Sequence, residues 1–292
     1  MKYAIIDIGT NSVRYLLARY DGSSPITLYR DRENTRLGKG LYSAARLLSS
    51  DSMKQSADAV SKFALHARQH NAEKIICFAT SAVRDANNSS EFAQMLKTQA
   101  DVELEILLGD EEALAGYTGA MGNDCCFNCG IIVDIGGGST EIIERLNTGT
   151  VMGISFDCGC VRLKELFGND IEGAKQYISQ NIHVPKGKNI VLIGGTATTL
   201  AMLYNGLEQY DETILHGTQI SLKYINELTE KVLNMSPAER EDLLHFDRKR
   251  ADILIYGLLI IGYIASEAQT NAIVTSEQGL MQGIIKIKHK SE

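Results

Sequence analysis

The sequence predicts an α/β protein in which one folding unit, of the order β-β-β-α-β-α, occurs twice with a cleft between the copies. The first observation is a repeated glycine-rich motif, DIGTNS at residues 7–12 and DIGGGS at residues 134–139. The second is that a strand-like apolar run stands on each side of both motifs, which is typical of strands joined by a tight turn. The third is that hairpins come first in each copy, whereas dinucleotide-binding folds alternate strand and helix from the start.

Apolar periodicity assigns the other elements. In the first copy it predicts strands at 3–7, 13–19 and 26–31, a long helix around 53–67, a strand at 74–79, a helix near 89–99, a strand at 103–108 and a helix at 111–121. In the second copy it predicts strands at 130–135, 141–146 and 150–156, helices near 160–167 and 171–182, a strand at 190–193, a helix from 198, helices near 221–234 and 249–268, a strand at 272–274 and a helix near 277–287. The repeat divides the chain into domains 1–124 and 125–292, and the last helix is expected to pack back on the first domain.

Composition argues against several classes of protein. The 292 residues carry a formal net charge of −7, which disfavours nonspecific binding to nucleic acid or to a membrane surface. No apolar window is long enough for a membrane span, and no signal peptide is visible, so a cytoplasmic location is expected. A polyanionic substrate would need basic residues or a metal ion concentrated at its site.

Six cysteines include a C-x-x-C pair, Cys126 and Cys129, and a C-x-C pair, Cys158 and Cys160. A zinc site requires four converging ligands, and the predicted strands place the two pairs at opposite ends of a sheet. The sequence therefore favours small buried thiols in a reducing compartment over a metal site.

The repeated glycine turns indicate the chemistry. Glycine allows backbone conformations in which successive amide N–H groups point at one anion, and a Ser or Thr hydroxyl adds a donor. The Asp that opens each motif would repel a phosphate unless a divalent cation or a water lay between them. Two facing turns therefore predict a phosphate chain or another phosphoanhydride as substrate.

Seven segments, in this order and spacing, resemble the exopolyphosphatase/guanosine pentaphosphate phosphatase family of the actin/hexokinase/heat-shock ATPase superfamily. They are DIGTNS (7–12), ATSAVRDANN (79–88), GDEEA (109–113), DIGGGSTE (134–141), GCVRL (159–163), GGT (194–196) and SEQGL (276–280). The resemblance implies duplicated actin-like (ribonuclease H-like) domains, in the short two-domain form. It also implies Mg²⁺ or Mn²⁺ as cofactor and a homodimer. Two departures stand out: Glu277 replaces a common Asp, and Met281 and Gln282 stand where an Arg and a Glu are usual.

Site residues follow by matching these motifs. Glu112 matches the carboxylate that positions or deprotonates the attacking water, although acidic residues in a first helical turn also suit the helix dipole. Arg84 is expected to clamp phosphate, and Asp134, Glu141 and Asp7 are candidates to hold the metal. The phosphate-binding candidates, which include a second glycine turn opening a helix, are Gly9, Thr10, Asn11, Ser12, Gly136, Gly137, Gly138, Ser139, Gly195 and Thr196. Arg36 and Lys39 are weaker candidates for a longer phosphate chain, and Arg162 is expected to be structural.

The expected function is metal-dependent hydrolysis of the terminal phosphoanhydride of inorganic polyphosphate, with short chains favoured. Three alternatives stay open at this point. One is a guanosine pentaphosphate phosphatase of the stringent response, because both substrates end in the same bond. The others are a superfamily kinase or ATPase, and an alarmone sensor without turnover.

Overall fold

A computed structural model describes residues 1–121, 130–146 and 148–290. Within the first range, in chain order, lie β1 (Lys2–Ile8), β2 (Val13–Arg19), β3 (Ile26–Glu33), α1 (Ser50–Gln69), β4 (Lys74–Ala79), α2 (Ser81–Asp85), α3 (Ser89–Ala100), β5 (Leu104–Ile106) and α4 (Gly109–Ala120). The remaining ranges contain β6 (Ile131–Ile135), β7 (Thr140–Arg145), β8 (Val151–Phe156), α5 (Cys160–Phe167), α6 (Ile171–Asn181), β9 (Ile190–Ile193), α7 (Gly194–Asn205), α8 (Glu212–Leu215), β10 (Gln219–Ser221), α9 (Leu222–Leu233), α10 (Pro237–Leu243), a 3₁₀ segment (His245–Arg250), α11 (Leu254–Glu267), β11 (Ala272–Thr275) and α12 (Leu280–Lys290).

The first sheet has the strand order β3-β2-β1-β4-β5, with β1 antiparallel to β2 and parallel to β4. The central strand β1 is buried on both faces, and its successive side chains alternate between them. On β1, Ala4 and Ile6 face the core that α1 and α3 complete, whereas Tyr3 and Ile5 pack with the apolar residues of α12. This continuous burial explains why the strand is apolar at nearly every position.

The second sheet has the strand order β10-β11-β9-β6-β7-β8 and repeats the same start, with β6 antiparallel to β7 and parallel to β9. One face packs with α5, α7 and the apolar helix α11. The other face, through Ile132 and Ile143, packs against Ala113 and Ala120 of α4. The duplicated actin-like architecture predicted from the sequence is therefore confirmed. The division into domains at residue 124 stays a prediction.

Helices α4 and α12 cross closely, and small residues make the crossing possible. A Cβ added at Gly119 would lie 1.8 Å from the carbonyl oxygen of Gly279, and one at Gly283 would lie 1.7 Å from that of Ala115. Both obstacles are backbone atoms, which cannot rotate away as a side chain can. Helix α4 also carries Glu112 and packs on the second sheet. The crossing of α4 with α12 therefore helps to fix the position of Glu112 relative to that sheet.

Gly283→Ala is expected to lower the free energy of unfolding by about 1–3 kcal/mol or more, as overpacking in a tight core does. The matched control is Gly262→Ala in α11, where the new methyl would meet only the side-chain oxygen of Asn226, at 3.7 Å. That change should be neutral or slightly stabilising, because alanine is the better helix former. Urea unfolding of both variants measures the difference, and equal stabilities would contradict the packing argument.

Several predicted boundaries were wrong for identifiable reasons. The helix predicted at 249–268 begins at Leu254, because a 3₁₀ segment (His245–Arg250) and turns precede it. Within that segment Asp247 departs from helical backbone angles (φ −155°, ψ 57°), and its carboxylate accepts from the Asn34 side chain. The last helix begins at Leu280, where the Gln282 side chain accepts the N–H of Gly279. The described residues include no helix with the length and apolarity to cross a membrane.

Candidate active site

The two glycine turns close in the same way and lie against each other. The N–H of Gly9 donates to the carbonyl of Ser12 at 3.0 Å, and the N–H of Gly136 donates to the carbonyl of Ser139 at 2.9 Å. A Cβ added at Gly138 would lie 2.3 Å from the Tyr42 hydroxyl oxygen. Glycine at this position therefore lets the second turn approach the first copy of the unit.

Between the turns lies a cavity of about 60 Å³, here called the inner cavity, which is on the scale of one phosphoryl group. Its walls come from both copies: Gly9, Thr10, Asn11, Ser12, Arg14, Thr80, Ser81, Glu112, Asp134, Ile135, Gly136, Gly137, Ser139, Cys160, Gly195, Thr196, Arg250 and Ile253. Neither polar atom of the buried Asn11 amide has a hydrogen-bond partner among the described residues. Burying an amide without hydrogen-bond partners lowers the stability of the folded protein. A polar ligand in this cavity would supply the missing partners of Asn11.

Glu112 reaches the wall of the inner cavity from the first turn of α4, where it is 7% exposed. Arg84 donates to its Oε2 at 3.2 Å and to the carbonyl of Leu107 at 2.9 Å. Burial first, and then the charges of Glu141 and Asp134, raise the pKa of Glu112 well above its ordinary value, while Arg84 opposes them. Such a carboxylate is a stronger base than an exposed one. Glu111 instead caps α4 by accepting the N–H of Leu108.

Arg84 lies in the short helix α2 and is not among the residues that line the inner cavity. Thr80 and Ser81, next to it in sequence, do line the cavity. The structure therefore places Arg84 as a partner of Glu112, and it does not place it on the cavity wall.

Asp134 and Glu141 are direct partners across the β6–β7 hairpin. Burial raises the pKa of Asp134 to about 7, with Glu141 and Asp7 adding to the effect and Arg14 opposing it. Glu141 is 1% exposed, and its Oε1 accepts the Ser155 hydroxyl at 2.6 Å. Burial raises the pKa of Glu141 too. Burial outweighs the nearby arginines at both carboxylates, and carboxylates crowded in this way favour a cation.

The first hairpin contains a functional candidate that motif matching missed. Arg14 occupies the position of β2 opposite Asp7, just as Glu141 lies opposite Asp134 in the second hairpin. Its Nε donates to Asp7 Oδ2 at 2.7 Å, and its guanidinium lines the inner cavity. The seven-residue spacing that both pairs share was the available signal, because it fixes the hairpin register.

The predicted metal ligands fit a hard cation only in part. Asp7 is fully buried and paired with Arg14, although its Oδ1 has no hydrogen-bond partner. No group of three His, Cys, Asp or Glu side chains suited to a metal occurs in the part of the chain that the structure describes. Magnesium commonly uses one or two carboxylates together with substrate phosphates and waters. Asp134 lines the inner cavity and could supply one such ligand, whereas Glu141 does not line it.

The other candidates divide between the cavity and the scaffold. Thr196 lines the inner cavity, but its hydroxyl donates to the carbonyl of Ile135 at 2.8 Å. Arg36 pairs with Asp252, and Lys39 is exposed, so neither lines the cavity. Arg162 donates to the carbonyl of Gly138 at 2.7 Å and pairs with Asp85 at 2.6 Å, as a structural residue would.

Three of the cysteines are described, and all are buried free thiols: Cys77, Cys158 and Cys160. Burial raises the pKa of Cys158 to about 12, which leaves it a thiol and a poor metal ligand. The prediction about Cys126 and Cys129 lies outside the described residues.

A second cavity of about 310 Å³, here called the outer cavity, opens beside the inner one. It contains four arginines that sequence reasoning did not assign to a site: Arg14, Arg30, Arg32 and Arg250. Apolar side chains line it as well: Tyr15, Met202, Tyr210, Phe246, Leu280 and Met281. The residues that depart from the family motif lie here: Glu277, Met281 and Gln282 all line the outer cavity. Glu277 accepts from Thr198 and from Tyr210, each at 2.9 Å.

Comparison with proteins of known name supports the resemblance. The chain is 31% identical to the bifunctional 3-dehydroquinate synthase/phosphatase of Fusobacterium nucleatum, over 97% of this chain and 46% of that protein. It is 28% identical to exopolyphosphatase 2 of Mycobacterium tuberculosis, over 97% of each. It is 27% identical to the guanosine-5'-triphosphate,3'-diphosphate pyrophosphatase of Vibrio cholerae, over 97% of this chain and 58% of that protein. The chain thus spans about half the length of two of these relatives and nearly all of the third.

Solved structures agree with the fold. The crystal structure of an exopolyphosphatase-like protein superposes with a TM-score of 0.89 at 26% identity, over 100% of this chain and 99% of that one. The PPX-GPPA enzyme of Aquifex aeolicus superposes with a TM-score of 0.81 at 23% identity, over 98% and 99%. The model of the Ppx/GppA phosphatase family matches residues 16–292. The chain belongs to the Ppx/GppA phosphatase family.

Proposed function

We propose that the chain hydrolyses the terminal phosphoanhydride of inorganic polyphosphate, with short chains as the preferred substrate. The observation that carries the proposal is the position of Glu112, a buried carboxylate held by Arg84 on the wall of a phosphoryl-sized cavity between two glycine turns. A general base within one water of the phosphorus atom is what hydrolysis requires. Cytoplasmic location, a homodimer and domains 1–124 and 125–292 belong to this proposal.

In the mechanism, backbone N–H groups of the two turns and the Asn11 amide bind the terminal phosphoryl group. Glu112 accepts a proton from a water as that water attacks phosphorus. The anhydride P–O bond breaks, and its electron pair leaves with the shortened chain. Arg84 holds the Glu112 carboxylate in orientation. A divalent cation bound near Asp134 and Glu141 would supply positive charge to the phosphoryl oxygens.

Guanosine pentaphosphate is the second candidate substrate, and the outer cavity favours it. A polyphosphate has no apolar part, whereas Tyr210, Phe246 and Met281 line this cavity beside its arginines. Aromatic and apolar walls suit a nucleobase, and arginines suit its phosphates. The Vibrio cholerae relative is named for a guanosine substrate and the Mycobacterium tuberculosis relative for a polyphosphate, so the names favour neither.

The deciding experiment is phosphate release from short polyphosphate, long polyphosphate, guanosine pentaphosphate and ATP, each with Mg²⁺, Mn²⁺ or EDTA. Metal-dependent release that favours short polyphosphate is the expected result. A preference for the pentaphosphate would replace the substrate and keep the mechanism. No release from any substrate, by folded protein that still binds a nucleotide, would overturn the hydrolase proposal in favour of a kinase, an ATPase or a sensor.

The loss of activity on the acid side of the pH profile should reflect protonation of Glu112. The base must be ionised to accept a proton, and burial together with Glu141 and Asp134 raises its pKa. We therefore expect kcat/KM to fall with decreasing pH at a midpoint above the ordinary glutamate range. Arg84→Gln removes the charge that lowers this pKa, so the midpoint should move to higher pH, and Arg84→Lys should move it less. An unchanged midpoint in Arg84→Gln would contradict the assignment of Glu112 as base.

A further inference from the structure

Tyr42 lies between β3 and α1, and both copies of the folding unit hold it in place. Its ring packs against the apolar residues of both cores. The guanidinium carbon of Arg162, from α5 in the second copy, lies 4.2 Å from the centre of the ring. The backbone N–H of Tyr42 donates to Glu165, also on α5, at 3.3 Å. The side chain is therefore fixed against the second copy, although it belongs to the first.

The hydroxyl of Tyr42 meets two other hydroxyls at the second glycine turn. A Cβ added at Gly138 would lie 2.3 Å from the Tyr42 oxygen, 2.5 Å from Ser81 Oγ and 2.9 Å from Thr10 Oγ1. Thr10 and Ser81 share a hydrogen bond of 3.0 Å between their hydroxyl oxygens. Both of these residues line the inner cavity, whereas Tyr42 does not. Tyr42 therefore stands behind two hydroxyls that belong to the cavity wall.

The Tyr42 hydroxyl is a donor without an acceptor. Its oxygen is buried and has no hydrogen-bond partner among the described residues. Burial raises the pKa of Tyr42 well above its ordinary value, while Arg162 and the Thr10 hydroxyl act in the opposite direction. The group therefore stays protonated, and a buried hydroxyl that lacks a partner lowers the stability of the folded protein.

A phosphoryl group in the inner cavity would change this arrangement. A serine or threonine hydroxyl has one proton to donate and two lone pairs that accept. A charged phosphate oxygen is a stronger acceptor than the hydroxyl of Ser81, so it would draw the Thr10 proton towards the cavity. A lone pair of Thr10 Oγ1 would then accept the Tyr42 O–H, and the charge on the phosphate would strengthen both hydrogen bonds.

We propose that Tyr42 is a positioning residue, which donates to Thr10 Oγ1 and so directs the Thr10 hydroxyl proton at the phosphoryl group in the inner cavity. The identity of that group, the terminal phosphoryl of a phosphoanhydride, rests on the proposed function. Tyr42 acts through Thr10, because it does not line the cavity itself. Since Thr10 belongs to the first glycine turn and α5 holds Tyr42, the contact also ties that turn to the second copy.

Tyr42→Phe tests the hydroxyl, because phenylalanine keeps the ring that Arg162 contacts. Isothermal titration calorimetry with inorganic phosphate, with and without Mg²⁺, measures affinity, and urea unfolding without phosphate measures stability. The matched control is Tyr263→Phe on α11, where the lost hydroxyl donates to the carbonyls of Ser179 and Ile182, each at 3.3 Å. Tyr263 lines neither the inner nor the outer cavity.

Tyr42→Phe should weaken phosphate binding about two- to tenfold, the range for the loss of one hydrogen bond. It should leave the unliganded protein as stable as wild type or more stable, because the hydroxyl has no partner there. Tyr263→Phe should do the reverse, with lower stability and wild-type phosphate affinity. A purely structural role of Tyr42 would give the pattern of the control, and that result would overturn the proposal.

A double-mutant cycle with Thr10→Val tests whether Tyr42 acts through Thr10. Valine keeps the methyl group of threonine and lacks its hydroxyl. Adding Tyr42→Phe to Thr10→Val should cause no further loss of phosphate affinity, because the group through which Tyr42 acts is already gone. Losses that multiply would show that Tyr42 acts independently of Thr10, contrary to the proposal.

The phosphate-binding and phosphate-release assays separate this inference from the proposed function. If Tyr42→Phe binds phosphate as tightly as wild type, or if wild type does not bind it, the positioning role is wrong even if the protein hydrolyses polyphosphate. If phosphate affinity depends on Tyr42 through Thr10 but no substrate releases phosphate, the positioning role stands and the hydrolase proposal fails.

Discussion

Glu112→Gln is expected to lower kcat about 100- to 10,000-fold, the range for removal of a general base, with a much smaller effect on KM. The substitution keeps the shape of the side chain and its contact with Arg84, and removes only the capacity to accept a proton. Steady-state phosphate release at saturating substrate and metal measures the loss.

The matched control is Glu111→Gln, one residue earlier on the same helical turn. Its side chain is exposed and caps α4 through the N–H of Leu108, which a glutamine oxygen can also accept. We expect wild-type kcat. A Glu112→Gln variant with more than about a tenth of wild-type kcat would show that another group takes the proton, since losses below tenfold fall short of general-base catalysis.

The fold was predictable because its signals are local. The apolar run of β1, the glycine turns and the apolar face of α1 each depend on neighbours in sequence, and all three appear where expected. The predicted start of the helix at 249–268 was wrong because a 3₁₀ segment runs to Arg250, and in this segment Asp247 is held by Asn34 and Arg32 from the other copy of the unit. Long-range contacts of this kind override local periodicity.

The residues of the candidate site that belong to a sequence motif were predictable. Glu112, Asp134 and the two turns lie together around the inner cavity. Arg14 and Arg250 were missed because an arginine in a strand, or in a run of charged residues, is usually a solvated surface residue. Only the tertiary structure shows that Arg250 lies against Gly195, whereas the register of the first hairpin was the available signal that Arg14 lies opposite Asp7.

Asp134→Asn should stabilise the protein, and the gain should depend on pH. An unfolded aspartate ionises near 3.8, whereas burial and the nearby carboxylates raise the pKa of folded Asp134 to about 7. Below pH 4 the residue is protonated in both states and contributes no difference. Between about pH 4 and 7 only the unfolded state ionises, so wild type loses about 1.4 kcal/mol of stability per pH unit. Above pH 7 the loss levels off, at a total on the order of 4 kcal/mol.

Asparagine does not ionise, so the Tm of Asp134→Asn should exceed that of wild type by a margin that grows from pH 4 to pH 7 and is then constant. Thermal unfolding across this range measures the margin, with Asp242→Asn on the exposed surface as control. Mg²⁺ should narrow the margin at pH 8, because a ligand that binds only the folded protein stabilises it and Asp134 is a candidate ligand. A margin that is independent of pH would show that Asp134 is ionised throughout. The buried carboxylates would then lack the mutual repulsion that makes this cleft receptive to a cation.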